Sequence, residues 1–122
     1  MKTCFCNSDE PYSRCCGPLI KGTVKAASAE KLMRSRYSAY VVGAIDYLIE
    51  TTHVSKQAGL SRKEIEQWAK GSQWLGLEII HADTFTVEFK AAYRDRSGKK
   101  QVHHEKSTFV FEDDSWYYLT GV

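Results

Sequence analysis

The chain has 122 residues, of which 43% are hydrophobic and 26% are charged, which is typical of a globular protein and not of a disordered, fibrous or membrane protein. A chain of this length can bury one hydrophobic core. The 17 lysine and arginine residues are dispersed and nearly balanced by 15 acidic residues, giving a formal net charge of +2. We therefore expect no specific binding of nucleic acid, which requires a concentrated basic surface.

All four cysteines of the chain, Cys4, Cys6, Cys15 and Cys16, lie in its first 16 residues. The disulfides of small secreted proteins join distant parts of the chain, which this clustering does not allow. No apolar run near Met1 resembles a signal peptide, and none approaches the roughly 20 residues of a membrane span. We therefore expect a cytoplasmic protein without a membrane span, whose reduced thiols are available to a metal.

The cysteine spacing, C-x-C, eight residues and then C-C, is suited to a metal site. Zn²⁺ prefers four tetrahedral donors, and a closed set of four thiolates leaves no position for water, so the spacing predicts one structural zinc ion. The alternatives are four unliganded thiols, a vicinal disulfide between Cys15 and Cys16, or iron, which tetrahedral thiolate sets also bind. Residues 1–22 contain both prolines and few aliphatic residues, and we call this loop-rich predicted unit the knuckle.

A helical pattern extends from Ser28 to about residue 72. Ser28 is placed to cap the first helix, and Gly43 is expected to bend or divide it. Ser61, with Glu64 three residues later, forms the pattern of a capping box and predicts the start of another helix.

After Gly71 the spacing of the apolar residues changes from the period of a helix to the alternation of a strand. Leu75, Leu77 and Ile79 alternate, and two further alternating runs begin at Phe85 and near residue 107. Turn signals separate the strands at residues 82–83, 95–98 and 112–115. Helices followed by strands predict an α+β fold, in which helices cover one face of a curved antiparallel sheet.

The segment CFCNSDEPYSRCCG, residues 4–17, resembles the SEC-C motif, a short zinc-binding element at the C-terminus of the bacterial preprotein translocase motor. The four cysteines match its ligand positions. Phe5 and Asn7 depart from the motif, where proline and glycine are usual, but asparagine tolerates a positive φ better than most residues. In the translocase motor this element docks an export chaperone, so the resemblance implies a protein partner.

The resemblance extends beyond the knuckle. Residues 30–40, 104–109 and 116–121 are similar to the corresponding segments of the YchJ family of small bacterial SEC-C proteins. This resemblance implies that residues 23–122 form a cone-shaped domain of the nuclear transport factor 2-like (cystatin-like) type. It implies no particular activity.

Within the domain, Arg34 and Glu105 are the first candidates for a polar site. Arg34 is expected on the inner arc of its helix, and Glu105 alternates in phase with inward residues of its strand, where an unpaired carboxylate is costly. The favoured interpretation is a buried ion pair between helix and sheet. The alternative is a pocket that holds a polar ligand, with these two residues joined by Tyr37, Tyr40 and His103.

No serine, histidine and aspartate have a spacing typical of a catalytic triad, so the sequence favours a protein that is not an enzyme. Our first hypothesis is an adaptor in which the knuckle recruits a protein partner, either an export chaperone or the ribosome. The alternative hypothesis is a small-molecule binder or enzyme that uses the pocket of the cone domain. The sequence leaves the oligomeric state open.

Overall fold

The structure is a computed structural model that describes residues 3–122, so Met1 and Lys2 of the predicted knuckle lie outside the described residues. The chain forms helices first and an antiparallel sheet second, which confirms the predicted α+β fold. The elements are a 3-10 turn (Tyr12–Arg14), α1 (Cys16–Lys21), α2 (Ala29–Val42), α3 (Ile45–Glu50), α4 (Val54–Gln57), α5 (Arg62–Gly71), β1 (Gln73–Ala82), β2 (Thr86–Arg94), β3 (Lys100–Glu112) and β4 (Ser115–Gly121).

The helix ends follow the local chemistry of the sequence. The Ser28 hydroxyl accepts a hydrogen bond from the Lys31 amide at 3.1 Å and caps α2. The Ser61 hydroxyl accepts one from the Glu64 amide at 3.2 Å and caps α5. Gly43 adopts φ = 77°, so it ends α2 and does not bend it. None of the helices in residues 3–122 combines the length and the apolarity that a membrane crossing requires.

The four strands pair in chain order, each antiparallel to the next, so that β2 and β3 form the centre of the sheet. Phe89 on β2 lies opposite Glu105 on β3, which directs both side chains to the same face. An irregularity in β1 between Trp74 and Gly76 shifts the alternation there. Leu75, predicted in phase with Leu77, is therefore 42% exposed whereas Leu77 is 4% exposed.

Helix α2 packs across the inner face of the sheet and forms the main core with it. The main buried cluster unites Leu32, Met33 and Tyr37 of α2 with Val87 and Phe109 of the sheet. The same cluster contains all four cysteines of the knuckle. The knuckle is therefore packed into the core of the described chain, and a domain boundary between residues 22 and 23 stays a prediction.

Candidate functional site

The four cysteine sulfur atoms converge on one point beside the middle of α2. All four Sγ atoms lie within 4.8 Å of one another, and each cysteine is at most 6% exposed. The Sγ atom of Cys15 lies 3.6 Å from that of Cys6 and 3.9 Å from that of Cys16. A tetrahedral zinc ion with Zn–S bonds of about 2.3 Å places its sulfur atoms about 3.8 Å apart. The sulfur atoms thus already have the spacing of a four-thiolate metal site, and the cluster could hold an ion.

Turns of the chain and the side chains of α2 position these sulfur atoms. Asn7 adopts φ = 68°, the left-handed conformation that the sequence allowed for it, and its amide donates to the carbonyl oxygen of Cys4 at 3.1 Å. The Ser8 hydroxyl lies 3.1 Å from Cys15 Sγ, and the Ser38 hydroxyl lies 3.6 Å from Cys4 Sγ. Polar groups therefore surround the cluster, and they can solvate the negative charge of thiolates.

Without a metal, the thiols share their protons unequally. The hydrogen bond from Cys16 lowers the pKa of Cys6 to about 4, although burial opposes this shift. The same bond raises the pKa of Cys16 above its ordinary value, and burial adds to the increase. Binding of a metal would require all four thiols to lose their protons, so its affinity depends on pH.

Arg34 belongs to this cluster and not to the cavity of the cone. Its Nη1 atom donates to the carbonyl oxygen of Cys6 at 2.6 Å, and its Nε atom donates to Glu30 Oε2 at 3.0 Å. The predicted ion pair between Arg34 and Glu105 is therefore wrong. The prediction failed because it placed Arg34 on the arc of its helix that faces the sheet, whereas its side chain contacts the knuckle.

The cone domain does contain a cavity, of about 180 Å³, between α2, α5 and the inner face of the sheet. Four of the five predicted pocket residues, Tyr37, Tyr40, His103 and Glu105, line it. The arginine in the cavity is Arg36, which the sequence reasoning missed. At about 100° per residue, Arg36 lies about 40° from Tyr40 around α2, whereas Arg34 lies about 120° away. Tyr37 also lines the cavity but lies nearer to Arg34, at about 60° against about 100° for Arg36, so periodicity alone did not decide between the two arginines.

Glu105 is held at the cavity wall by three neutral or cationic donors. His103 Nε2 lies 2.8 Å from its Oε1 atom, and the hydroxyls of Ser107 and Tyr118 donate to Oε2 at 2.6 Å and 2.9 Å. Burial alone would raise the pKa of Glu105, but these hydrogen bonds outweigh it and hold the pKa below its ordinary value. Glu105 is therefore an ionised carboxylate whose two oxygen atoms are both engaged.

Comparisons with known proteins agree with this arrangement. A model for the middle NTF2-like (nuclear transport factor 2-like) domain of YchJ matches residues 28–121. A UPF0225 protein of Geobacter sulfurreducens is 43% identical over 125 residues, which cover 97% of this chain and 77% of the relative. A UPF0225 protein of Haemophilus influenzae is 39% identical over 124 residues, covering 98% and 76%.

Two solved structures are also similar. The solution structure of a SEC-C motif containing protein from Rhodopseudomonas palustris has a TM-score of 0.91 and 38% identity, covering 99% of this chain and 98% of the other. The crystal structure of a SEC-C motif containing protein from Psychrobacter arcticus has a TM-score of 0.80 and 33% identity, covering 98% and 81%. With its cysteine cluster and a nuclear transport factor 2-like fold over residues 28–121, the chain belongs to the YchJ family of SEC-C motif proteins.

Proposed function

We propose that this chain is a non-enzymatic adaptor protein of the cytoplasm, in which one structural Zn²⁺ holds the knuckle in the shape that docks a protein partner. The observation that carries the proposal is the position of Phe5. This aromatic side chain is 47% exposed, although it stands between two cysteines, Cys4 and Cys6, that are 3% and 0% exposed. A metal bound by these neighbours would fix Phe5 at the surface.

The donor set supports zinc in a structural role. Calcium and magnesium prefer oxygen ligands, whereas four sulfur atoms at tetrahedral spacing suit zinc, with iron as the competing metal. Four protein ligands leave no open position for water or substrate, which argues against catalysis at the metal. Thiols kept for a metal are characteristic of reducing compartments, which supports a location in the cytoplasm.

The surface around Phe5 has the composition of a small docking site. Its ring meets that of Tyr12 edge-on, with 5.5 Å between the ring centroids. Exposed charged residues, Asp9, Glu10 and Arg14, lie on the same short segment. Protein interfaces commonly combine an aromatic anchor with a polar rim. The resemblance to the SEC-C element of the translocase motor makes an export chaperone the first partner to test and the ribosome the second.

The proposal is tested by affinity capture of purified export chaperone on the wild-type protein and on the Phe5→Ala variant, which keeps every cysteine. A matched control is Phe85→Ala, since Phe85 is 52% exposed and lies in the turn before β2, outside the segment that contains the cysteines. We expect Phe5→Ala to abolish capture and Phe85→Ala to preserve it. Equal capture by both variants, with chaperone and with ribosomes, would refute docking through the knuckle.

Metal analysis of the purified protein tests the zinc assignment separately. We expect one zinc ion per chain, lost in Cys15→Ser, and loss of partner capture when a chelator removes the metal. Iron at the same stoichiometry would correct the identity of the metal and keep the docking proposal. Partner capture by the metal-free protein would contradict the role of the metal.

A further inference from the structure

The cavity of the cone domain has a lining that the adaptor function does not explain. Apolar and aromatic side chains form most of its wall, including Tyr40, Trp68, Trp74 and Phe89. The rings of Tyr40, Trp68 and Trp74 contact one another, with 5.1 to 5.6 Å between the centroids of each pair. Into this aromatic wall the fold places one guanidinium, that of Arg36.

Arg36 is a buried cation that is only partly satisfied by the protein. The residue is 8% exposed, and its guanidinium carbon lies 4.5 Å from the centre of the Tyr118 ring. Its Nη1 atom donates to the Leu48 carbonyl oxygen at 2.9 Å, and to the hydroxyls of Thr51 and Thr52 at 2.8 Å and 3.4 Å. These three bonds fix the orientation of the guanidinium plane.

The other two nitrogen atoms of Arg36, Nε and Nη2, donate to no acceptor among residues 3–122. Every fully occluded side-chain nitrogen or oxygen atom of the described residues has a hydrogen-bond partner, so Nε and Nη2 each keep some exposed surface. Arg36 lines the cavity, and we place this exposed surface there. Nε–H and one Nη2–H lie parallel on one edge of a guanidinium. This edge is the fork that binds the two oxygen atoms of a carboxylate.

No carboxylate of the described chain fills this fork. Within residues 3–122, no ion pair of 4.0 Å or less involves Arg36. Glu105 lines the same cavity, but its two oxygen atoms already accept hydrogen bonds from His103, Ser107 and Tyr118. The charge of Glu105 acts on Arg36 only from a distance. A buried charge without a direct partner is costly, so an anion that reaches the fork would reduce that cost.

We propose that the cavity binds a small aromatic monocarboxylate, whose carboxylate accepts hydrogen bonds from Nε and Nη2 of Arg36 while its ring packs among Tyr40, Trp68, Trp74 and Phe89. A cavity of about 150 Å³ holds benzene, and the 180 Å³ observed here leaves room for one ring and one carboxylate. The hydroxyl of Tyr40, a residue that lines the same cavity and whose hydroxyl has no hydrogen-bond partner in the described chain, supplies a third donor. This site goes beyond the adaptor function and does not depend on it.

Titration of the metal-loaded protein with benzoate tests the proposal. The indole N–H signals of the tryptophans in ¹H–¹⁵N spectra report binding. Trp68 and Trp74 line the cavity and should shift to saturation, whereas Trp116 lies outside it and should not. Benzamide has the same shape without the charge, and we expect it to bind at least about tenfold more weakly. Equal affinity for the two compounds, or no saturable shift at millimolar benzoate, would overturn the proposal.

Variants locate the carboxylate. Arg36→Lys keeps the positive charge but removes the fork, and should weaken benzoate binding about tenfold or more, whereas Arg94→Lys on the exposed end of β2 should leave it unchanged. Should Arg36→Lys fail to fold, Tyr40→Phe, which removes only a hydroxyl, should still weaken benzoate about threefold to tenfold. Unchanged affinity in Tyr40→Phe together with unchanged affinity in folded Arg36→Lys would place the benzoate elsewhere.

Discussion

Removal of the metal should destabilise the whole described domain and not the knuckle alone. The four cysteines share a buried cluster with the inner face of α2, so the segment they close also covers part of the core. Without a metal, four sulfur atoms within 4.8 Å must either protonate or repel one another as thiolates. Because metal binding and folding of such a segment are coupled, the free energy of binding contributes to the free energy of folding.

The size of the effect is worked from two side chains of α2 that share the buried cluster with the cysteines. Leu32 is 2% exposed and Met33 is 6% exposed. Burying one such side chain contributes about 1.5–3 kcal/mol, so uncovering both costs about 3–6 kcal/mol. That is a large part of the about 5–15 kcal/mol by which a domain of this kind is stable. At about 3–6 °C per kcal/mol for this chain length, the Tm should fall by about 9–36 °C.

Calorimetry of the metal-loaded protein and of the same sample after chelation under reducing conditions measures this shift. Near-ultraviolet circular dichroism should change as well, because Tyr12 and Tyr37 pack in the cluster that contains the cysteines. Returning zinc should restore both signals. Equal melting temperatures with and without metal would refute the reasoning, since they would mean that the knuckle stays packed in the core without the metal.

Three substitutions examine single contacts. Arg34→Ala removes the hydrogen bond to the carbonyl oxygen of a cysteine and should weaken zinc about tenfold in competition with a chromophoric chelator, whereas the exposed Arg62→Ala should not. Glu105→Gln should lower the free energy of urea unfolding by about 1–3 kcal/mol at neutral pH, because three donors lose a charged acceptor. The pKa of Glu105 in the folded protein lies below its ordinary 4.5, so the wild-type protein should lose the stability that the carboxylate contributes as the pH falls through the folded-state pKa. The Glu105→Gln variant has no carboxylate at this position and should show no such loss. Parallel plots of unfolding free energy against pH for the two proteins would contradict this role of Glu105. Gly17→Ala would bring a Cβ to 2.8 Å from the Tyr12 carbonyl oxygen and should lower the Tm, while Gly76→Ala, whose Cβ meets nothing within 4 Å, should be tolerated; equal Tm values would contradict the clash.

Features set by neighbouring residues could be predicted from the sequence. The caps at Ser28 and Ser61 depend on a hydroxyl and an amide three residues later, so the sequence contains all the necessary information. Asn7 tolerates a positive φ because of its own side chain, which allowed the cysteine turn to close despite the absence of the usual glycine. The convergence of the cysteines follows similarly from short loops that these turns allow.

Periodicity could not show which arginine of α2 faces the cavity and which faces the knuckle, because this helix is buried on more than one side. Its fully buried positions include Ser35 and Ser38 as well as Leu32 and Met33, so polar and apolar residues share the inner faces. A single apolar arc is typical of a helix that packs on one surface. Here the knuckle supplies a second packing surface for α2. Arg34 contacts it at Cys6, which is 28 residues earlier in the sequence, and only the three-dimensional structure shows this contact.

The two arginines also define how the cysteine cluster and the cavity are related in space. Arg34 and Ser38 reach the knuckle from α2, whereas Arg36 and Tyr40 reach the cavity from the same helix. Between Gly43 at its end and Ser28 at its start, α2 is a continuous hydrogen-bonded helix, so these side chains cannot move independently by more than their rotamers allow. A displacement of α2 on metal loss would therefore also change the position of the Arg36 fork, so the helix would couple the two proposed sites. Since such coupling is reciprocal, the factor by which zinc changes the affinity for benzoate should equal the factor by which benzoate changes the affinity for zinc.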